Sequence, residues 1–400
     1  MRLVSLQEIT EARGLLEGVV RATPMEHARD LERVHGGLIH LKCENLQRTG
    51  SFKIRGAYTR IHGLSEEERG RGVVAASAGN HAQGVALAAS LLGTKATVFM
   101  PDRVPLPKLA ATHGYGADVH LHGEVFDETL AAAVAFAERT GAVFIHPFDH
   151  ADVIAGQGTV GLELLEQVPD VGTVLVPAGG GGLVSGIAVA LKALRPEAKV
   201  VAVQAEGAAA LPPSLARGNP VRLPEPHTMA DGIAVGQPGE ITLAHVAALV
   251  DGVVTVTEES LSRAVLLCLE RRKLVVEPAG AAAVAALLQH RGTFRPPIVG
   301  VLSGGNVDPL LLLQIIRHGM TAGGRYLALR LRVPDRPGVL AAVLSRISEL
   351  GANVLDVEHR RISGALALGE VEVSLSLETR GPSHCAELTT ELQRAGFTVF

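Results

Sequence analysis

At 400 residues the chain is longer than one hydrophobic core usually holds, so two or three domains are expected. Apolar residues make up 47% and charged residues 20%, a soluble globular balance that excludes a disordered chain. A net charge of −4, no tryptophan and only 3% aromatic residues argue against a nucleic-acid or anionic-membrane surface.

Residues 1–11 carry Arg2, Glu8 and Glu11 and no apolar core, so a signal peptide is not expected. A helical segment covers 5–20. From about 38 to 317, strand-like runs (38–43, 73–77, 96–100, 118–121, 174–177, 200–204 and 297–302) alternate with Ala/Leu-rich helical stretches such as 82–92, 126–139 and 183–194. That alternation implies an α/β fold of parallel sheets with helices on both faces, and ligand sites beyond the carboxyl ends of the strands. No apolar run approaches the roughly 20 residues that span a bilayer. Cys43, Cys268 and Cys385 are odd in number and widely spaced, which indicates neither a disulfide framework nor a zinc cage. The expected compartment is the cytosol.

Four loops in this stretch carry chemistry. In Thr49-Gly50-Ser51-Phe52-Lys53-Ile54, Lys53 sits between apolar neighbours near a helix start. A lysine so placed loses charge easily and can form a Schiff base, although the motif alone reads more readily as an ordinary solvated lysine. Ser77-Ala78-Gly79-Asn80-His81 follows a strand and enters a helix; it suits a carboxylate ligand, or simple helix capping by Ser or Asn. Gly179-Gly180-Gly181-Gly182-Leu183 follows a buried strand and opens a helix. Converging N–H groups there suit a phosphate cradle, without the Walker or G-x-G-x-x-G spacing; the alternative is a flexible turn. Ser303-Gly304-Gly305-Asn306 again lies just past an apolar strand. Phosphate cradle and Schiff-base lysine together point to pyridoxal phosphate.

In this order the four motifs resemble the fold-type-II pyridoxal-phosphate enzymes (tryptophan synthase β-like), and among them the threonine ammonia-lyases, over about residues 5–318. The resemblance implies a catalytic region over 1–320, made of two open twisted α/β domains with the smaller (roughly 55–150) inserted in the larger. It implies that Lys53 holds the cofactor as a Schiff base and that Phe52 packs on its ring. Asn80 would bond the ring hydroxyl, Ser303 the pyridine nitrogen, and Gly179, Gly180, Gly181, Gly182 and Leu183 the phosphate. Ser77, Gly79, Asn80 and His81 would hold the substrate carboxylate. The implied reaction is conversion of L-threonine to 2-oxobutanoate and ammonia, and of L-serine to pyruvate, in isoleucine synthesis or threonine catabolism.

Two rivals stand beside this reading. Serine racemases resemble the same pattern but carry a serine acid/base where this chain has Ala78, which cannot exchange a proton. They also bind a divalent cation at carboxylates corresponding to the region near Glu206; here 207–213 holds no second carboxylate, so no divalent metal site is expected, and a monovalent cation stays open as the alternative. A decayed catalytic domain serving as an amino-acid sensor is opposed by the intact Lys53. Glu277, in Glu277-Pro278-Ala279-Gly280, either orders the site or caps the following helix. His120 with His122, and His146 with His150, lack the context of a metal site and are read as surface or packing residues.

After a join at 321–325 the pattern changes. Residues 326–333 alternate like a strand, and Val339, Leu340, Val343, Leu344, Ile347 and Leu350 form one helical stripe. Strands at 354–359 and 371–377, joined around Ser363-Gly364, complete a βαββαβ order over 326–400. With Pro334-Asp335-Arg336-Pro337-Gly338 this tail resembles an ACT domain, an amino-acid-binding regulatory module, or else serves only dimerisation. By resemblance Gly338 and Asn353 face an effector, isoleucine or valine, in a homodimer or homotetramer.

Overall fold

Short runs of Val, Ile and Leu bounded by glycine or polar turns become the strands of the computed structural model, which describes residues 2–361 and 366–400. The described residues form two compact units, 1–309 and 310–400. In the first unit the strands are β1 (Met25–His27), β2 (Ile39–Lys42), β3 (Val73–Ala76), β4 (Ala96–Met100), β5 (Asp118–Leu121), β6 (Val143–Phe144), β7 (Thr173–Pro177), β8 (Lys199–Ala205), β9 (Gly252–Val256) and β10 (Ile298–Val301). They make two sheets, ordered β1-β2-β10-β7-β8-β9 and β5-β4-β3-β6. Every pairing is parallel except β1 on β2.

Strands β3, β4, β7 and β10 are buried along their whole length, as helices on both faces require. One core gathers Val174, Val176, Ile187, Leu191, Val299 and Val301 around the larger sheet. A second gathers Ile54, Val73, Ala75, Val85, Val98 and Ile145 around the smaller. The chain leaves the larger sheet after β2, builds the smaller one, and returns at β7. Insertion of β10 between β2 and β7 brings residues 303–306 alongside residues 49–53.

Helix Lys53–His62 lies against helix Ala151–Gln167 so closely that a β-carbon on Gly156 would stand 2.6 Å from the Arg55 carbonyl oxygen. Only glycine permits that approach. The expected helix at 5–20 is shorter, Leu6–Leu15, because Gly14 and Gly18 weaken its second half. Strands β1, β6 and β9 were not foreseen; the first two are too short to show periodicity.

The second unit contains β11 (Tyr326–Pro334), helix Val339–Glu349, β12 (Asn353–Arg360), β13 (Glu370–Glu378), helix Pro382–Arg394 and β14 (Thr398–Val399). Its antiparallel sheet runs β12-β13-β11-β14, the expected βαββαβ fold. Leu329, Leu331 and Val333 of β11 pack on Val343 and Ile347 of the predicted helical stripe. The join at Ser363-Gly364 lies outside the described residues. Among the described residues no helix is long and apolar enough to cross a membrane.

Candidate active site

The approach to Lys53 is built by backbone. Thr49 takes a left-handed conformation (φ 63°). Ser51 is extended and forms a bridge with Gly304. The Phe52 N–H donates to the Ser303 carbonyl at 3.2 Å, and the Gly305 N–H to the Gly50 carbonyl at 2.8 Å. Two motifs about 250 residues apart are thereby zipped together, and buried Ser303 lies beside the start of helix Lys53–His62. The Lys53 Nζ donates to the Pro147 carbonyl at 2.8 Å and stands 5.3 Å from the centre of the Phe52 ring. Burial pushes its pKa down to about 8, against a smaller opposing pull from Glu277.

Beyond β7 the chain turns through Gly179, Gly180 and Gly181 into helix Gly182–Leu194. Gly181 (φ 97°) is the N-cap and offers no side-chain hydrogen bond, so the first N–H groups of the helix have no side-chain partner. A β-carbon on Gly180 would fall 2.4 Å from the Phe148 ring, and one on Gly179 3.0 Å from the Ile233 Cα. Side chains are excluded from this loop, and its backbone is left to meet an anion. Thr242 Oγ1 steadies it by donating to the Gly180 carbonyl at 2.7 Å.

Ser77, Gly79, Asn80 and His81 come at the end of β3. Ser77 Oγ accepts from the Gly79 N–H at 3.2 Å, and Gly79 starts helix Asn80–Leu91 without any side-chain cap. Capping by Ser or Asn is therefore not what the turn does. Asn80 instead donates to Glu277 Oε1 at 2.5 Å and accepts from Asn306 Nδ2 at 2.7 Å. His81 Nε2–H donates to the Ile145 carbonyl at 2.8 Å. Burial, then the Lys53 charge, pushes its pKa down to about 3, so the ring is neutral.

Glu277 does not cap a helix either. Helix Ala282–Gln289 begins at Ala281 with no side-chain bond, and the Glu277 carboxyl turns to Asn80. Burial first, then the neighbouring Asp231, pushes its pKa up to about 7. Asp231 itself is paired with Lys108 of helix Leu106–Gly114. The described residues contain no group of three or more His, Cys, Asp or Glu able to hold a metal ion.

These residues fit pyridoxal phosphate. The glycine loop is shaped so that a β-carbon would clash, a lysine of depressed pKa faces the same site, and Ser51 Oγ beside it is buried without a partner. Missed at the sequence level were Pro147, which acts through its carbonyl; Thr242; and a buried charge cluster. In that cluster Arg55 bonds Glu44 (2.8 Å, twice) and Glu163 (2.7 Å), and Lys42 bonds Glu163 (2.7 Å). No local pattern marks it. Only the proximity of Arg55 to Lys53 could have drawn attention.

In the second unit a cavity of about 350 Å³ is lined by Asp335, Arg336, Pro337, Gly338, His359 and Arg361, among others. Gly338 is the uncapped N-cap (φ 91°) of helix Val339–Glu349. Asn353 is not among the lining residues and donates to Glu378 at 3.2 Å.

Comparison with known proteins gives a family model described as "Pyridoxal-phosphate dependent enzyme" over residues 16–304 and one described as "ACT domain" over residues 328–384. The chain is similar to an L-threonine ammonia-lyase of Thermotoga maritima, 48% identical over 397 residues, which is 99% of each chain. Among solved structures it resembles the processed form of threonine deaminase isoform 2 from Solanum lycopersicum (TM-score 0.76, 36% identity, covering 80% of this chain and 91% of that one). It also resembles a maize serine racemase (TM-score 0.75, 36% identity, covering 80% of this chain and 99% of that one).

Proposed function

The chain belongs to the pyridoxal-phosphate-dependent enzymes, and from that premise we propose that it is an L-threonine ammonia-lyase, forming 2-oxobutanoate and ammonia from L-threonine and pyruvate from L-serine. The observation that carries the reading is Lys53: a half-buried amine of depressed pKa docked on the Pro147 carbonyl, in a turn whose next residue, Phe148, packs on the side-chain-free glycine loop. The full-length likeness to a threonine ammonia-lyase supports the substrate.

The bound cofactor supplies the electron sink for the charge that develops at the substrate α-carbon. Lys53 would hold the cofactor, and its ε-amine, when free, would serve as the base for the α-proton. A pKa of about 8 puts a useful fraction of that amine in its basic form near neutral pH. Ser77, Gly79, Asn80 and His81 hold the carboxylate at the start of helix Asn80–Leu91. Asn80, itself oriented by Glu277 and Asn306, addresses the ring hydroxyl. Gly179, Gly180, Gly181, Gly182 and Leu183 would offer backbone N–H groups to the phosphate, and Phe52 would pack on the ring. Ser303 would be a neutral partner for the ring nitrogen, which would keep the sink weak and favour elimination over transamination. Ala78 has no group to return a proton from the opposite face, so racemisation is disfavoured.

The ACT unit is the regulatory part of this proposal. An amino-acid effector, isoleucine before valine, occupies the cavity around Gly338, since an end product of the 2-oxobutanoate route is a logical signal. A homodimer or homotetramer in the cytoplasm is the matching assembly. The test is production of 2-oxobutanoate and pyruvate from each substrate, with chiral analysis of residual serine, with and without isoleucine. D-serine forming as fast as pyruvate favours the racemase reading. A protein that stays colourless with added pyridoxal phosphate favours the sensor. Calorimetry on the full chain with no heat from isoleucine or valine leaves the tail a dimerisation module.

A further inference from the structure

We propose that His146 is a positioning residue for Lys53: its imidazole braces a turn whose Pro147 carbonyl docks the lysine ε-amine whenever that amine is free. The proposal rests on the lyase reading for its consequence in catalysis, but its geometry stands alone.

The turn begins just beyond β6. His146 Nδ1 accepts from two backbone N–H groups, those of Phe148 at 3.3 Å and Asp149 at 2.8 Å. An Asn or Asp side chain makes the same pattern when it closes a turn on the N–H groups that follow it. The imidazole can do this only unprotonated. Burial, with further push from Lys53 and His150 against the pull of Asp149, lowers its pKa to about 4, so the acceptor is intact at neutral pH. Pro147 between the bracing atoms has a fixed φ and no N–H. What it presents is a carbonyl, 2.8 Å from Lys53 Nζ.

The same turn reaches the glycine loop. Asp149 Oδ1 accepts from the Thr242 N–H at 3.0 Å, and Thr242 Oγ1 donates to the Gly180 carbonyl at 2.7 Å. The Phe148 ring meets the imidazole edge-on, with centroids 4.6 Å apart, and fills the space a side chain on Gly180 would need. One four-residue turn therefore sets where the amine rests relative to the loop that faces it. A lysine stem has four rotatable carbons. Without a dock the freed amine would wander, whereas one N–H given to Pro147 leaves the lone pair of the neutral amine available. Placement errors of about 1 Å can cost about 10²-fold in rate.

The experiment compares His146→Leu with His146→Asn in the full-length protein. The asparagine Oδ1 lies as many bonds from Cβ as the imidazole Nδ1, so it restores the acceptor without the ring. His146→Leu is expected to lower kcat for threonine by about 10²-fold with KM within about threefold, and His146→Asn to recover most of that loss. A second readout needs no turnover: pH-dependent acylation of Lys53 in the cofactor-free chain, followed by peptide mass spectrometry. Its midpoint, near pH 8 in the parent, should move upward in His146→Leu as the undocked amine reaches water, and stay near the parent in His146→Asn. His146→Ala replaces His146→Leu should the latter not fold. An unchanged midpoint and kcat in the leucine variant overturn the proposal, as does an asparagine variant as impaired as the leucine one. Midpoints that move as expected in a protein that does not deaminate threonine uphold the dock and refute the lyase reading instead.

Discussion

Lys53 and Arg55 stand two residues apart on one helix, both withdrawn from water, and their surroundings do opposite things to them. Arg55 is fully buried and meets Glu44 through two bonds and Glu163 and Thr159 through one each. Burial alone would lower its pKa, yet the two carboxylates raise it above the ordinary arginine value. Lys42, Arg55, Glu44 and Glu163 balance two charges against two, and Arg13, paired with Glu166, adds a weaker attraction to Glu163. Lys53 has only a carbonyl and, farther off, a carboxyl that is itself pushed toward neutrality. Burial wins there. The lesson is that a hidden cation is anchored or reactive according to its partners, and here the anchored one holds the helix that presents the reactive one.

The comparison breaks most visibly at the amine itself. Lys53→Ala should lower threonine deamination by about 10³-fold or more, read as 2-oxobutanoate formed. Normal turnover without added amines would remove Lys53 from the chemistry.

Stability should separate the two cations next. Arg55→Met leaves Glu44 and Glu163 buried with too few partners, and should cost about 3–5 kcal/mol in urea unfolding at pH 7. Lys53→Met removes a poorly paired charge, and should stabilise the cofactor-free protein at the same pH. Equal losses in both variants would erase the distinction.

The gain from Lys53→Met should depend on pH. The folded pKa of Lys53 (about 8) lies below its unfolded value, so between about pH 8 and about 10.4 the unfolded chain binds the extra proton. Parent stability therefore rises with pH across that window relative to the methionine variant, and the advantage of the variant shrinks. An advantage that is constant from pH 7 to 10 would mean that the amine is not held at a depressed pKa.

The smallest effect concerns the carboxyl on the Lys53 side. Asp231→Asn removes a negative neighbour of Glu277, so the raised pKa of Glu277 should fall and the acid limb of the rate profile should move to lower pH. No movement would leave burial as the sole cause of the shift.

Much of the candidate site was legible in the chain. Lys53, the Ser77–His81 turn, the four glycines and Ser303 each sit where an apolar strand gives way to glycine or small polar residues, and local sequence marks such places. The alternating elements likewise announced parallel sheets and the βαββαβ tail, and the family resemblance their division into two domains. What tertiary structure alone decided were the partners. Whether Glu277 capped a helix or faced Asn80 depended on a residue 197 positions away. The Arg55 cluster joins residues up to 121 apart, and residues such as Glu163 read along the chain as ordinary helix-surface charges. Pro147 contributes a backbone carbonyl, which carries no residue-type signature at all. Periodicity and turn chemistry are short-range, so sequence states where reactive groups can stand; pairing and desolvation are long-range, and only the packed chain decides which charge is held and which is released.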